Sequence, residues 1–355
     1  MSRYIRDRYK GFASYTPGEQ PKDTEYIKLN TNESPFPPAP GVIRALKETD
    51  LERLRLYPDP TGSRLKKKIA AFYSVQPENV FLTNGSDDIL NFAVMAYGDE
   101  DDTFVFPDIT YSFYDVIAEL HGVKYERIPL KEDMTVDWRE YCGIGKNIIL
   151  PNPNAPTGCA LKLAEIEEIV RTNPDNVVLI DEAYVDFGAE SAIPLIGKDD
   201  NLLVSHTVSR FRSFAGGRLG YAIADAGLIG DLVTMQYSTN PYNVNSLSLL
   251  LAEAAFDEDS YYRANADRIK ENRAYTTEQL RSLGFDVVPS LANFVFAKHR
   301  TVSGDTIYQE LKKRGVLVRH FTAERIRDYN RITIGTKEQM DVLLQKLQEI
   351  IEPQQ

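Results

Sequence analysis

The run Thr207-Val208-Ser209-Arg210-Phe211-Arg212-Ser213-Phe214-Ala215-Gly216-Gly217-Arg218-Leu219-Gly220-Tyr221 gathers hydroxyls and guanidinium groups around a glycine pair. A guanidinium keeps its proton, with a pKa above about 12, so Arg210 can neither attack an aldehyde nor act as a general base. A lysine could do both. Thr83-Asn84-Gly85-Ser86-Asp87-Asp88 offers a place for an anion. Glycine lets the chain turn tightly, and the exposed N–H groups of a helix start, aided by the helix dipole, attract negative charge. Taken alone, that string is better explained as a plain N-cap by Ser86. Asp181-Glu182-Ala183-Tyr184 follows an apolar run ending at Ile180. A carboxylate at the C-terminal end of a parallel strand lies where open α/β sheets bind ligands. The plain alternative is an Asp that caps the next helix. Asn152-Pro153-Asn154-Ala155-Pro156-Thr157-Gly158 has turn composition throughout.

These segments sit between elements that alternate in type. Short Val/Ile-rich runs predict strands at 80–83, 103–106, 147–150 and 177–180, and their near-continuous apolar character suits buried parallel strands. Amphipathic patterns predict helices at 63–73, 86–97, 112–121 and 163–172. Two further strands, 201–208 and 218–224, flank the Arg210 loop. A long helical stretch runs from Ser246 to Leu283. Strands at 285–288 and 293–297, a helix at 304–314, strands at 316–318 and 331–334, and a helix at 337–351 follow. The pattern is α/β with crossover helices, ended by a smaller α+β unit with an antiparallel sheet. Residues 33–41, rich in proline, should run extended before the first helix.

With 355 residues the chain can bury a sizeable core, and 43% hydrophobic against 26% charged residues is ordinary for a soluble globular protein. A net charge of -11 argues against a nucleic-acid binder, yet a local cluster of arginines can still bind phosphate. Cys142 and Cys159 are the only cysteines, so no disulfide framework is implied and a reducing cytoplasm is expected. No apolar run reaches the roughly 18 residues that span a bilayer, and Met1 to Arg8 lacks the apolar core of a signal peptide. The four histidines show no H-x-x-H spacing and the cysteines no C-x-x-C, so no metal site is expected. A G-x-S-x-G elbow is absent, which removes the hydrolase reading.

The 207–221 segment, with D-E-A-Y at 181–184, the N-P-N-x-P-T-G turn at 152–158 and the G-S loop at 85–86, resembles fold type I pyridoxal-phosphate (PLP) aminotransferases. More narrowly, it resembles the histidinol-phosphate aminotransferases, over nearly the whole chain. The resemblance implies the aspartate aminotransferase-like fold of PLP-dependent transferases, whose large-domain sheet is mainly parallel. It implies an N-terminal arm (1–40), a large PLP-binding domain (41–270) and a small C-terminal domain (271–355). It places the cofactor phosphate on Gly85, Ser86, Asp87 and Arg218, the pyridine nitrogen on Asp181, and Thr207 and Ser209 among the cofactor-binding residues. Tyr184 would reach the phenolic oxygen; Ala155 stands where the family often has a second asparagine for that oxygen, so either that contact is missing or Asn154 or Asn152 supplies it. Tyr111 would stack on the ring. Tyr57 would cross a two-fold interface to the partner's cofactor, which implies a homodimer with shared sites. Arg331 matches the clamp for an amino-acid carboxylate and Arg319 an arginine associated with the substrate's phosphate end. Tyr15, Asn32 and the 240–245 segment resemble other parts of the site lining.

Arg210 departs from this pattern. It occupies the position of the Schiff-base lysine, and no lysine occurs between Lys198 and Lys270 to replace it. His206 should face away from the loop. The implied reaction exchanges an amino group between histidinol phosphate, or a related amino acid, and 2-oxoglutarate, and it should be strongly impaired here. Arg210 reflects either a deliberate substitution that traps an adduct or natural divergence. PLP would then be held without a covalent bond, or as pyridoxamine phosphate. The other readings are a non-catalytic PLP-binding homologue and a PLP-dependent decarboxylase of amino-acid phosphates.

Overall fold

The computed structural model describes residues 2–23 and 25–352. In chain order, β1 (Ile27–Leu29) leads to α1 (Pro40–Lys47), then α2 (Ser63–Tyr73), β2 (Val80–Thr83) and α3 (Ser86–Tyr97). Next come β3 (Phe104–Pro107), α4 (Phe113–His121), β4 (Tyr125–Ile128), β5 (Asn147–Pro151), α5 (Leu163–Thr172) and β6 (Val178–Asp181). β7 (Leu202–Thr207) and β8 (Gly220–Ala224) precede α6 (Ala226–Thr239), α7 (Ser246–Asp257) and α8 (Asp259–Ser282). The chain ends in β9 (Phe285–Val288), β10 (Phe294–His299), α9 (Gly304–Lys313), β11 (Val316–His320), β12 (Tyr329–Thr333) and α10 (Lys337–Ile351).

Seven strands form one sheet in the order β2-β8-β7-β6-β5-β3-β4. β8 is antiparallel to both neighbours, and the other pairings are parallel. Side chains alternate across this sheet, as a period of two requires. Ile149, Leu179 and Leu203 join the apolar layer that includes Ile89, Ala93 and Ile117 of α3 and α4, whereas Ile148, Val178 and Val204 join the opposite layer with α5 and α7. The same alternation sends Asp181 to the α4 side, and Glu182 and His206 to the other. There His206 Nε2 lies 2.8 Å from Glu182 Oε2 and the imidazole stacks on Tyr221. His206 therefore faces away from the Arg210 loop.

A second sheet has the order β1-β11-β12-β10-β9. β1 runs parallel to β11, and the remaining pairs are antiparallel. The N-terminal arm is thus tied into this sheet. The boundary expected at 270/271 falls inside the continuous helix α8. Other differences have local causes. The long helical stretch breaks at Glu258, between α7 and α8. The extended linker stops at Ala39, because Pro40 opens α1, where its fixed φ suits a first helical turn. Arg218 is not in a strand: it holds φ of 50° just before β8. β4 went unread because it is an edge strand with Glu126 and Arg127 exposed.

Candidate active site

The parallel strands β3, β5, β6 and β7 all point their C-terminal ends at one solvent-open cleft of about 1050 Å³, which the arm and the second sheet help to close. Of the residues singled out in the sequence, Tyr15, Asn32, Ser86, Asp87, Tyr111, Asp181, Tyr184, Thr207, Ser209, Arg210, Arg218, Arg319 and Arg331 line it. Gly85 lies directly behind the lining.

One part of the cleft is built for an anion. Gly85, with φ of 93°, precedes α3, and no side chain caps that helix start. Ser86 is therefore the first helical residue and not its cap. A Cβ on Gly85 would sit 2.5 Å from Arg218 Nη2, and one on Gly220 would sit 2.5 Å from the Ser86 backbone nitrogen. Glycine at both positions lets β8 and Arg218 come close under the helix start. Arg218 Nη2 lies 3.2 Å from Asp87 Oδ2. Thr207 Oγ1 donates to Ser209 Oγ at 2.9 Å, bringing two hydroxyls to the same loop.

Asp181 ends β6 and is buried. Tyr114, wholly buried on α4, donates to Asp181 Oδ2 at 2.8 Å, while Oδ1 has no hydrogen-bond partner. Burial, followed by the charge of Asp87 and partly offset by the Tyr114 hydrogen bond, raises the Asp181 pKa from 3.8 to about 6. A buried carboxylate oxygen without a donor is costly, and a protonated ring nitrogen would satisfy it. Asn32, at φ of 57°, donates from Nδ2 to Tyr184 Oη at 2.9 Å, which leaves the phenol's own proton free to donate into the cleft.

The raised pKa carries a stability consequence. Between pH 4 and 6 the folded chain holds a proton that the unfolded chain has lost, so this group's contribution is full below about pH 4 and is lost as pH rises through about 6. At neutral pH the ionised Asp181 costs the ligand-free protein up to about 3 kcal/mol. Asp181→Asn should therefore stabilise the ligand-free chain by about 1–3 kcal/mol at pH 8, with the gain shrinking towards pH 4. Urea unfolding at the two pH values checks this, and an equally large gain at pH 4 would contradict it.

The other side of the cleft is basic. Arg319 on β11 and Arg331 on β12 stand directly opposite each other in the antiparallel register. Like charges so placed repel. Arg331 Nη2 donates to the Asn30 carbonyl at 3.0 Å, and its Nε, like that of Arg210, has no hydrogen-bond partner. Burial, together with the charges of Arg210 and Arg319, lowers the Arg331 pKa to about 10. Arg210 Cζ lies 5.9 Å from the Tyr184 ring centroid. Among the described residues, Arg218 is ion-paired but Arg210, Arg319 and Arg331 are not. No lysine lines the cleft.

Asn154, Asn152, Tyr57 and the 240–245 segment are not among the lining residues. Asn154 is fully buried within its own turn, where Nδ2 donates to the Ile109 carbonyl at 3.0 Å and Oδ1 accepts from Thr110 at 2.9 Å. Its amide braces the loop, and Ala155 lines the cleft in its place. Asn152 accepts from the Leu161 N–H and also stays out of the lining. Tyr57 is 82% exposed and stacks on Tyr242, away from this chain's cleft. Tyr111 does line the cleft, donating to Asp87 Oδ1 at 3.2 Å and meeting Tyr15 edge-on at 5.7 Å. The sequence reading missed Tyr114 as the partner of Asp181. Its only signal was its place one helical turn after Tyr111, and a tyrosine on an apolar helix face reads as core.

A family model described as aminotransferase class I and II matches residues 24–347. The histidinol-phosphate aminotransferase of Brachyspira hyodysenteriae is 46% identical over 352 residues, covering 99% of each chain. That of Clostridium acetobutylicum is 44% identical over 351 residues, covering 99% of this chain and 100% of the relative. The crystal structure of histidinol-phosphate aminotransferase from Sinorhizobium meliloti in complex with PLP has the same fold, with a TM-score of 0.84 at 22% identity over 93% of this chain and 92% of that one. By these likenesses and by its aspartate aminotransferase-like architecture, this chain belongs to the PLP-dependent class I and II aminotransferases, in the histidinol-phosphate aminotransferase family.

Proposed function

We propose that this chain binds PLP, or pyridoxamine phosphate, without a covalent bond, and that its transamination of histidinol phosphate or a related amino acid is strongly impaired. The observation that carries this reading is a cleft holding both an unpaired Asp181 Oδ1 and the uncapped start of α3 beside Arg218, with no lysine in its lining. Bound there, the cofactor would supply an electron sink for charge developing at the carbon beside the amino group.

The chain's own residues divide the remaining work. The N–H groups at Ser86 and Asp87, the hydroxyls of Thr207 and Ser209, and Arg218 would hold the phosphate. Asp181 would hold the ring-nitrogen proton, and Tyr184 would donate to the phenolic oxygen. Arg331 would clamp the carboxylate of 2-oxoglutarate or of an amino acid, and Arg319 beside it would meet the phosphate end of histidinol phosphate. Arg210 can donate hydrogen bonds but has no lone pair for attack and accepts no proton. Transamination therefore lacks both its nucleophile and its proton carrier.

A two-fold dimer fits the same reading. Leu51, Leu54, Leu56 and Tyr57 expose apolar surface on one segment, and a partner would cover it while taking Tyr57 towards its own cofactor phosphate. Equilibrium dialysis tests the cofactor claim. PLP should bind the chain and wash out fully, and Arg218→Ala should weaken it by about 10- to 100-fold. PLP retained through exhaustive dialysis would contradict the non-covalent reading.

A further inference from the structure

Arg210 is a permanent charge inside the cleft, whose lining holds four arginines against two carboxylates, Asp87 and Asp181. Arg210, Arg319 and Arg331 carry no ion-pair partner among the described residues, whereas Arg218 is paired with Asp87. Two of those guanidiniums, on Arg210 and Arg331, also keep a buried Nε without a hydrogen-bond acceptor. The cross-strand opposition of Arg319 and Arg331 adds repulsion that a bound anion would relieve. Arg331 and Arg319 lie on the second sheet, where they face a substrate's acidic ends. Arg210 lies on the loop after β7, one residue beyond Ser209 of the anion cradle, and near the Tyr184 ring. Its charge would then lie beside a ring whose phosphate sat in that cradle.

We infer that the cleft selects among phosphorylated pyridine ligands by the charge of the substituent beside Arg210, favouring an anionic group there over a neutral one and a neutral one over a cationic one. This deepens the cofactor reading above and rests on it. The phosphate cradle and Asp181 fix the two ends of such a ring, so ligands that differ in one substituent keep one orientation. In a partly buried site, opposite charges near contact attract and like charges repel strongly enough to change affinity by one or more powers of ten. A lysine can escape such repulsion by losing its proton. Arg210 cannot. The chain then holds the carboxylate or carbonyl forms of the vitamin phosphate in preference to the amine form.

The test uses three probes that share ring and phosphate and form no bond to lysine: pyridoxic acid phosphate with a carboxylate, deoxypyridoxine phosphate with a methyl, and pyridoxamine phosphate with an aminomethyl group. Dissociation constants are measured by calorimetry for the unchanged chain, Arg210→Met and Arg210→Gln. The second variant keeps a polar end without charge and guards against a folding defect in the first. In the unchanged chain the carboxylate should bind at least about tenfold more tightly than the amine, and in both variants the ratio should fall within about threefold. An amine that binds the unchanged chain as tightly as the carboxylate overturns the inference. A ratio that persists in both variants also overturns it, assigning the preference to Arg319 and Arg331. If none of the three probes binds the unchanged chain, the cofactor reading itself falls, and this inference with it.

Discussion

Arg210→Lys should raise the rate of amino-group exchange between histidinol phosphate and 2-oxoglutarate by at least about 10²–10⁴-fold over the unchanged chain. That range is what a positioned proton carrier contributes, and regaining the nucleophile adds to it. The expectation depends on the remainder of the cleft being competent. Asp181 still presents an unpaired oxygen, the start of α3 is uncapped, and Tyr184 has a free proton to donate. The Arg210 side chain partly lines the cleft and makes no ion pair among the described residues, so shortening it to a lysine breaks no bridge. A steady-state assay of both proteins, each saturated with PLP, reads the effect. If the variant binds PLP but gains no turnover, divergence extends beyond position 210 and the chain is a binding protein.

The second large effect is expected at Arg331. In the Arg210→Lys background, Arg331→Met should lower kcat/KM for 2-oxoglutarate by about 30- to 1000-fold, the cost of removing a half-buried fork from a carboxylate. Stability should behave differently. Arg331 stands opposite Arg319, its Nε is unpartnered, and its burial opposes its charge. Removing it relieves repulsion, so the ligand-free protein should lose no more than about 1 kcal/mol. A residue kept for packing alone would show the reverse: unchanged kinetics with a clear fall in the unfolding midpoint. Arg331→Lys separates charge from fork geometry, since it keeps the first and loses the second.

The sequence revealed parts of this site only in combination. A glycine between strand and helix, an aspartate at the end of an apolar run, and an arginine eight positions beyond Arg210 each had a plainer local explanation, and it was their joint spacing, through the family resemblance, that pointed to a site. The structure then adds reasons invisible along the chain. Gly85 and Gly220 matter to each other because β8 lies against β2, although they stand far apart in sequence. Tyr114 was missed because a donor to a buried carboxylate and a core tyrosine look identical on an amphipathic helix. Asn154 was misplaced because a turn needs internal bracing as well as side chains for a ligand, and composition cannot divide the two. β1 escaped because three residues are too few for a periodic signal, and it is held by a parallel partner in a distant strand. The break at Glu258 was hidden because it is a single residue, with a helix directly on either side.

The cleft keeps Asp181, the uncapped start of α3 and Arg218, and lacks the lysine that would fix a cofactor covalently. That lack is tested most directly by borohydride reduction of the PLP-loaded chain and of Arg210→Lys, followed by peptide mass mapping. The unchanged chain should carry no fixed cofactor on any peptide that reaches the cleft. The variant should carry one cofactor on the peptide spanning position 210. Cofactor fixed at another lysine of the unchanged chain, with turnover to match, would show that a different residue has taken over the role and would contradict the account.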